Sequence, residues 1–124
     1  MAQPSISVVD DDYSVRRSVA RLLLSCGLEV ETFASANEYL ESEHPKGVAC
    51  LILDVYLDGM SGIDLYQTLQ SSGHAPPVIF ITAHDDESTL AHIRGHVAAA
   101  CLRKPFDSST LLTELGHILD RDFE

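Results

Sequence analysis

Near-continuous apolar runs and amphipathic stretches alternate along the chain. Residues 6–9 (ISVV), 50–53 (CLIL) and 78–81 (VIFI) predict buried strands, with a shorter one at 100–102 (ACL). Residues 28–34 (LEVETFA) alternate and predict a further strand. Between the first two, Val15, Val19, Leu22, Leu23 and Cys26 recur at helical spacing, and Gly27 follows as a C-terminal cap. Ser35 and Glu38 stand in the S-x-x-E pattern of a capping box and open a short second helix. Ile63, Tyr66 and Leu69 predict a third helix, ended by the Gly and Pro of SSGHAPP at 71–77. Leu90 and Ile93 mark a weaker fourth. Asp107 is placed to cap a fifth, whose Leu111, Leu112, Leu115, Ile118 and Leu119 form one apolar stripe.

The order is strand then helix, about five times over. Apolar strands separated by amphipathic helices favour an α/β fold with a parallel sheet covered on both faces and right-handed crossovers. No repeat period interrupts it. In such sheets ligands bind in a crevice beyond the carboxyl ends of the strands, near the point where strand order reverses. The residues immediately after each strand therefore carry the most information.

Composition narrows the function classes. The 124 residues fit one domain, 1–124, and 45% hydrophobic with 22% charged residues is ordinary for a folded soluble domain. A net charge of −11, from 8 basic and 19 acidic side chains, argues against direct nucleic-acid binding, which needs Lys and Arg to neutralise phosphates. No apolar run approaches a membrane span, and MAQPSIS lacks the regions of a secretory signal, so a cytoplasmic location is expected. Cys26, Cys50 and Cys101 lack CxxC spacing and lie among apolar residues, which predicts buried reduced thiols.

The strand ends carry Asp10, Asp11 and Asp12 after the first, Asp54 after LIL, Thr82 after VIFI and Lys104 after CLR. Two carboxylates about 4 Å apart repel by about 4 kcal/mol at an effective dielectric near 20, so such a cluster requires a counter-charge. Asp12 is assigned the local task of capping the first helix, with Ser14 as its competitor. The remaining groups suit phosphoryl transfer, in which catalysis is mostly positioning and charge neutralisation. Asp54 would be the nucleophile that forms an aspartyl phosphate. Asp11 and Asp54, with Asp10 close by, would hold Mg²⁺, which favours few carboxylates, several waters and a phosphoryl oxygen. Lys104 would place a point charge on one phosphoryl oxygen and Thr82 a hydroxyl hydrogen bond on another. Pro105 biases Lys104 toward extended backbone and makes a cis peptide more accessible, with trans the expectation.

Taken together, VVDDD, LILDVYLDGMSGIDL, VIFITAHDD and LRKPF resemble the receiver domain of bacterial two-component response regulators across essentially the whole chain. The resemblance implies a five-stranded flavodoxin-like (βα)5 fold and phosphoryl transfer to Asp54 from a phosphohistidine of a sensor histidine kinase. It also implies an acidic Mg²⁺ pocket at Asp10 and Asp11, the Tyr56 backbone carbonyl as a metal ligand, and Thr82 and Lys104 at the family's signalling hydroxyl and lysine positions. The product is a phosphoprotein switch, with a homodimer on phosphorylation among the states the resemblance allows, rather than an enzyme acting on external substrates. DDDYSVRRSV and TAHDD look closest to receivers joined to LuxR-type helix-turn-helix output domains, and no such domain is expected within these residues.

Several positions depart from the family's pattern. Cys101 stands where an aromatic residue is usual, so an aromatic-rotamer relay has no ring there. Asp58 replaces a common Pro and adds negative charge near the pocket, and Val97 replaces a common Gly. Tyr56 and His84 occupy positions that in the family modulate dephosphorylation.

Other signals are weaker. DVYLDGMSGIDL matches a Ca²⁺ loop at Asp54 and at Asp58 with Gly59, but has Tyr56 where a ligand is wanted and Leu65 where a closing Glu belongs. His92 and His96 have a metal-compatible spacing with no third ligand in pattern. Two alternatives stay open: a small Mg²⁺-dependent phosphatase with an aspartyl intermediate, disfavoured by the absence of a D-x-D pattern at Asp54, and a receiver that binds its partner without phosphorylation.

Overall fold

The computed structural model describes residues 4–42, 47–73, 75–83, 100–120 and 123. Its elements are β1 (Ser5–Val9), α1 (Tyr13–Ser25), β2 (Glu29–Phe33), α2 (Ala36–Glu41), β3 (Cys50–Asp54), α3 (Gly62–Ser71), β4 (Val78–Thr82), β5 (Ala100–Arg103) and α4 (Ser108–Leu119). The helix expected around Leu90 and Ile93, and with it His84, His92, His96 and Val97, lies outside the described residues. α4 is therefore the fifth of the expected helices.

The five strands form one sheet in the order β2-β1-β3-β4-β5. Every pairing is parallel, as in Val9 against Leu53 and Asp54 against Ile81. Because side chains alternate across a strand, the apolar runs serve two cores at once. Val9, Leu51, Leu53, Val78 and Phe80 face a cluster that takes Tyr39 from α2 and Leu65, Tyr66 and Leu69 from α3. Ile6, Val8, Ile52, Ile79 and Ile81 face the opposite cluster, with Val19 and Leu23 from α1 and Leu111 and Leu115 from α4. That two-sided burial explains why the three central runs are so uniformly apolar. At the β2 edge the alternation survives but burial does not: Leu28 and Val30 join one core and Phe33 the other, while Glu29 and Glu31 face solvent and blunt the open edge.

Helix boundaries follow local hydrogen bonding. Asp12 caps α1 by accepting from the N–H groups of Ser14 at 2.9 Å and Val15 at 3.4 Å. The helix ends in a Schellman motif, with Gly27 N–H donating to the Leu24 carbonyl at 3.0 Å and Leu28 N–H to that of Leu23 at 3.2 Å, and Gly27 at φ 84° supplies the left-handed residue. Ser35 caps α2 through Glu38 N–H at 3.0 Å, but the Glu38 carboxylate accepts from Ala34 N–H at 3.3 Å, one residue earlier than in a strict capping box. Asp107 does occupy the cap position of α4, yet its side chain makes no capping bond; its carbonyl accepts from Thr110 and Leu111 instead. The Lys104–Pro105 peptide is cis where trans was expected, an exchange for which the intrinsic preference is only about 0.5–1 kcal/mol.

Candidate functional site at the strand ends

Strand order reverses between β1 and β3, since the chain runs outward from β1 to β2 and then returns to β3 on the other side. The crevice rule therefore points to the carboxyl ends of these two strands. Asp10 follows β1 and Asp54 ends β3, and both are almost wholly buried. Lys104 arrives from the end of β5, across β4, and its backbone N–H donates to the Thr82 carbonyl at 2.8 Å. That bond ties the ends of β4 and β5 together, with Thr82 itself 1% exposed.

The Lys104 ammonium reaches both carboxylates, 2.9 Å from Asp10 Oδ2 and 3.0 Å from Asp54 Oδ2. The contact to Asp54 is a hydrogen bond; the contact to Asp10 is an ion pair whose angles miss hydrogen-bond geometry. Asp10 Oδ2 is thus a buried anionic oxygen without an aligned donor among the described residues. The outer oxygens are held by backbone: Asp12 N–H donates to Asp10 Oδ1 at 2.8 Å, and Tyr56 N–H to Asp54 Oδ1 at 3.0 Å. These bonds turn each inner oxygen toward its neighbour.

Charge in the crevice is unbalanced. Asp10, Asp11 and Asp54 each offer an oxygen within 4.8 Å of the others, and Lys104 supplies a single positive charge against the three. Burial pushes the Asp54 carboxyl above the usual carboxylate range; the Lys104 and Tyr56 hydrogen bonds pull it down, and the Asp10 charge adds to the rise. For Lys104 burial acts to lower the value, but the two carboxylates outweigh it and hold the ammonium above the ordinary lysine range. A buried anionic oxygen without an aligned hydrogen bond, all-oxygen ligands and two unmatched negative charges fit a hard divalent cation of the Mg²⁺ type.

The polypeptide matches the response regulator receiver domain model over residues 6–116. It belongs to the response regulator receiver family. Nodulation protein W of Bradyrhizobium diazoefficiens is 41% identical over 117 residues, covering 94% of this receiver and 52% of that protein. The transcriptional regulatory protein FixJ of Azorhizobium caulinodans is 35% identical over 119 residues, covering 96% of this receiver and 56% of that one. The receiver thus spans about half the length of these curated relatives. Among solved structures, the response regulator StyR superposes with a TM-score of 0.87 at 41% identity, over 96% of this receiver and 60% of that chain. The BeF3-activated DrrB receiver domain gives 0.85 at 26% identity, over 96% and 99%. The flavodoxin-like fold expected of the sequence is the fold found.

Asp10, Asp11, Asp54 and Lys104 are the expected residues that the fold brings together by direct contact or close approach, and Thr82 joins through its backbone. Tyr56 lies beside Asp54 with its ring partly exposed, and Asp58 is exposed on the following loop. Cys101 is half-buried against the Phe80 and Tyr66 side of the core. Two contributors escaped the sequence. Gly62, at the start of α3, packs directly on the Asp54 backbone; a Gly at a first helical position, just after the Ser61 cap, was the available signal. Arg16 donates to the Asp10 carbonyl at 2.7 Å, a link between residues six apart that no motif announces.

Proposed function

We propose that this receiver accepts a phosphoryl group on Asp54 from a phosphohistidine of a sensor histidine kinase and passes on the signal as a change in conformation. The observation that carries the reading is the placement of Lys104 within 3.0 Å of both Asp10 and Asp54 at the sheet's reversal point. In the reaction one Asp54 carboxylate oxygen bonds to phosphorus, the P–N bond to the donor imidazole breaks, and that imidazole leaves. Asp54 Oδ1 accepts from Tyr56 N–H and Oδ2 from the Lys104 ammonium, each at 3.0 Å, so both oxygens are oriented before the attack. Lys104 neutralises a phosphoryl oxygen, and Thr82 donates its hydroxyl to another. Asp10, Asp11, Asp54 and the Tyr56 carbonyl are the residues assigned to Mg²⁺. When bound, that ion supplies charge neutralisation at the carboxylates and the phosphoryl oxygens.

The residues form one receiver domain that transfers phosphate to itself and hydrolyses it, with no turnover of external esters. The curated relatives named transcriptional regulatory proteins support a role upstream of transcription, and dimerisation on phosphorylation is part of the same reading. Exposure to acetyl phosphate and Mg²⁺ followed by mass analysis is the direct test. One labile phosphoryl adduct is expected on the wild type and none on Asp54→Asn; an unmodified wild type, or steady hydrolysis of a phosphate ester, would overturn it.

A further inference from the structure

The loop from β1 to α1 contains an arrangement that the phosphoacceptor reading leaves unused. Arg16 is half-buried on the first turn of α1, and its Nη1 donates to the Asp10 backbone carbonyl at 2.7 Å. Its guanidinium carbon lies 5.5 Å from the centre of the Tyr13 ring, within the range of a cation–π contact. Tyr13 is 62% exposed, so this ring is not held out of water by the core. Asp10 is meanwhile tied at every other polar group. Its N–H donates to the Phe33 carbonyl at 3.1 Å, and its Oδ1 accepts from Asp12 N–H at 2.8 Å. Only Oδ2 is left without an aligned donor, and it is the oxygen that faces Lys104.

We propose that Arg16, stacked on Tyr13, is a positioning residue that fixes the direction of Asp10 Oδ2 and thereby sets the affinity of the pocket for its divalent cation. The inference rests on the reading of Asp10 as part of the Mg²⁺ pocket. The backbone carbonyl is the lever: a charge-assisted bond at 2.7 Å holds the Asp10 peptide plane, and with it the axis about which the carboxylate swings. Tyr13 restrains the long Arg16 side chain so that less conformational freedom is lost in making that bond. Groups that orient metal ligands from behind commonly change metal affinity by about 10–100-fold when removed.

The sign of the effect separates positioning from simple electrostatics. Arg16 is a cation near a cation site, so if it acted through charge alone its removal would tighten Mg²⁺ binding. If it positions Asp10, removal weakens binding. Calorimetric Mg²⁺ titration at fixed ionic strength, with Arg16→Met, Arg16→Lys, Tyr13→Ala and Tyr13→Phe beside the wild type, reads this directly. Arg16→Met is expected to weaken binding about 10-fold, the low end of the range because the lever is one bond removed. Arg16→Lys, which keeps the charge and loses the planar fork, should weaken it too. Tyr13→Ala should give a smaller loss of the same sign, and Tyr13→Phe, which keeps the ring face, should bind as wild type. In metal-free protein, amide exchange at Asp12 should quicken in Arg16→Met, since its bond to Asp10 Oδ1 shares the same support. Tighter or unchanged Mg²⁺ binding in Arg16→Met overturns the inference; should that variant not fold, equal binding by Tyr13→Ala and Tyr13→Phe overturns it. A wild type that binds no Mg²⁺ instead refutes the metal pocket itself, a separate result.

Discussion

Replacing Gly62 with alanine sets two effects of opposite sign against each other. Helix propensity alone favours the change by up to about 1 kcal/mol. The structure opposes it. A Cβ at 62 would overlap the Asp54 carbonyl oxygen and sit 2.9 Å from the Asp54 carbonyl carbon and 3.1 Å from Val55 Cα. All three are backbone atoms of the strand end that carries Asp54, so no side chain can swing aside. Nor can α3 drift off freely, because Gly62 N–H donates to the Val55 carbonyl at 2.9 Å. Overpacking typically costs about 1–3 kcal/mol, and losing that hydrogen bond adds about 0.5–1.5 kcal/mol. Less the propensity gain, Gly62→Ala should destabilise the receiver by about 0.5–3.5 kcal/mol, at about 3–5 °C in Tm for each kcal/mol at this size. Gly27→Ala is the matched control: φ is 84°, no atom beyond its own chain neighbours lies within 4 Å of the added methyl, and the cost is left-handed strain of about 1–2 kcal/mol. Melts with and without Mg²⁺ decide the matter. Both variants should lose stability, but only Gly62→Ala should also bind Mg²⁺ more weakly, because only it displaces Asp54. A Gly62→Ala protein that melts at or above wild type, or that keeps wild-type Mg²⁺ affinity, would refute the steric argument.

Lys104→Met should leave Asp10 and Asp54 facing each other unpaired and cost the metal-free receiver about 3–5 kcal/mol, with Mg²⁺ restoring more stability than it adds to wild type; equal melts in chelator would contradict this. Cys50 is buried in β3 with its thiol pushed up to about 12, so at pH 8 iodoacetamide should modify the half-buried Cys26 and Cys101 first and leave Cys50 untouched until the protein unfolds, as read by peptide mass analysis. Because burial raises the Asp54 carboxyl, its ionisation costs the folded state stability as pH climbs from the unfolded value toward the folded one. In chelator, Asp54→Asn should therefore be more stable than wild type at neutral pH, with the gap closing as pH falls toward 3.8; a gap that widens on acidification would reverse that assignment.

The sequence made the strand-end crevice legible because strand ends are where apolar periodicity stops. Asp10, Asp54, Thr82 and Lys104 stand at those stops, and the parallel topology implied by the uniform runs brings the stops to one edge. What stayed hidden depends on distances between backbones that no periodicity encodes. Gly62 reads as an ordinary loop glycine until β3 and α3 are seen in contact. The same holds for Arg16, whose partner is a carbonyl rather than a side chain. Asp107 shows the converse: residue type and position both indicated a cap, and the position was right, but the side chain takes no capping bond.

Lys104 is where stability and signalling meet. In the metal-free receiver its ammonium is divided between two buried carboxylates, one well aligned and the other not. That division limits the stabilisation obtained from either, since an ion pair with poor geometry does not recover the full desolvation cost of burying the charges. A phosphoryl group on Asp54 would bring new anionic oxygens to the same ammonium, in exchange for part of its 2.9 Å contact with Asp10. Its backbone cannot move independently, because Lys104 N–H is bonded to the Thr82 carbonyl. A pull on the ammonium would therefore bear on the end of β4 at Thr82. On the proposed phosphorylation of Asp54, the lysine that serves the metal-free receiver as a structural counter-charge would thus be the group placed to respond to phosphate.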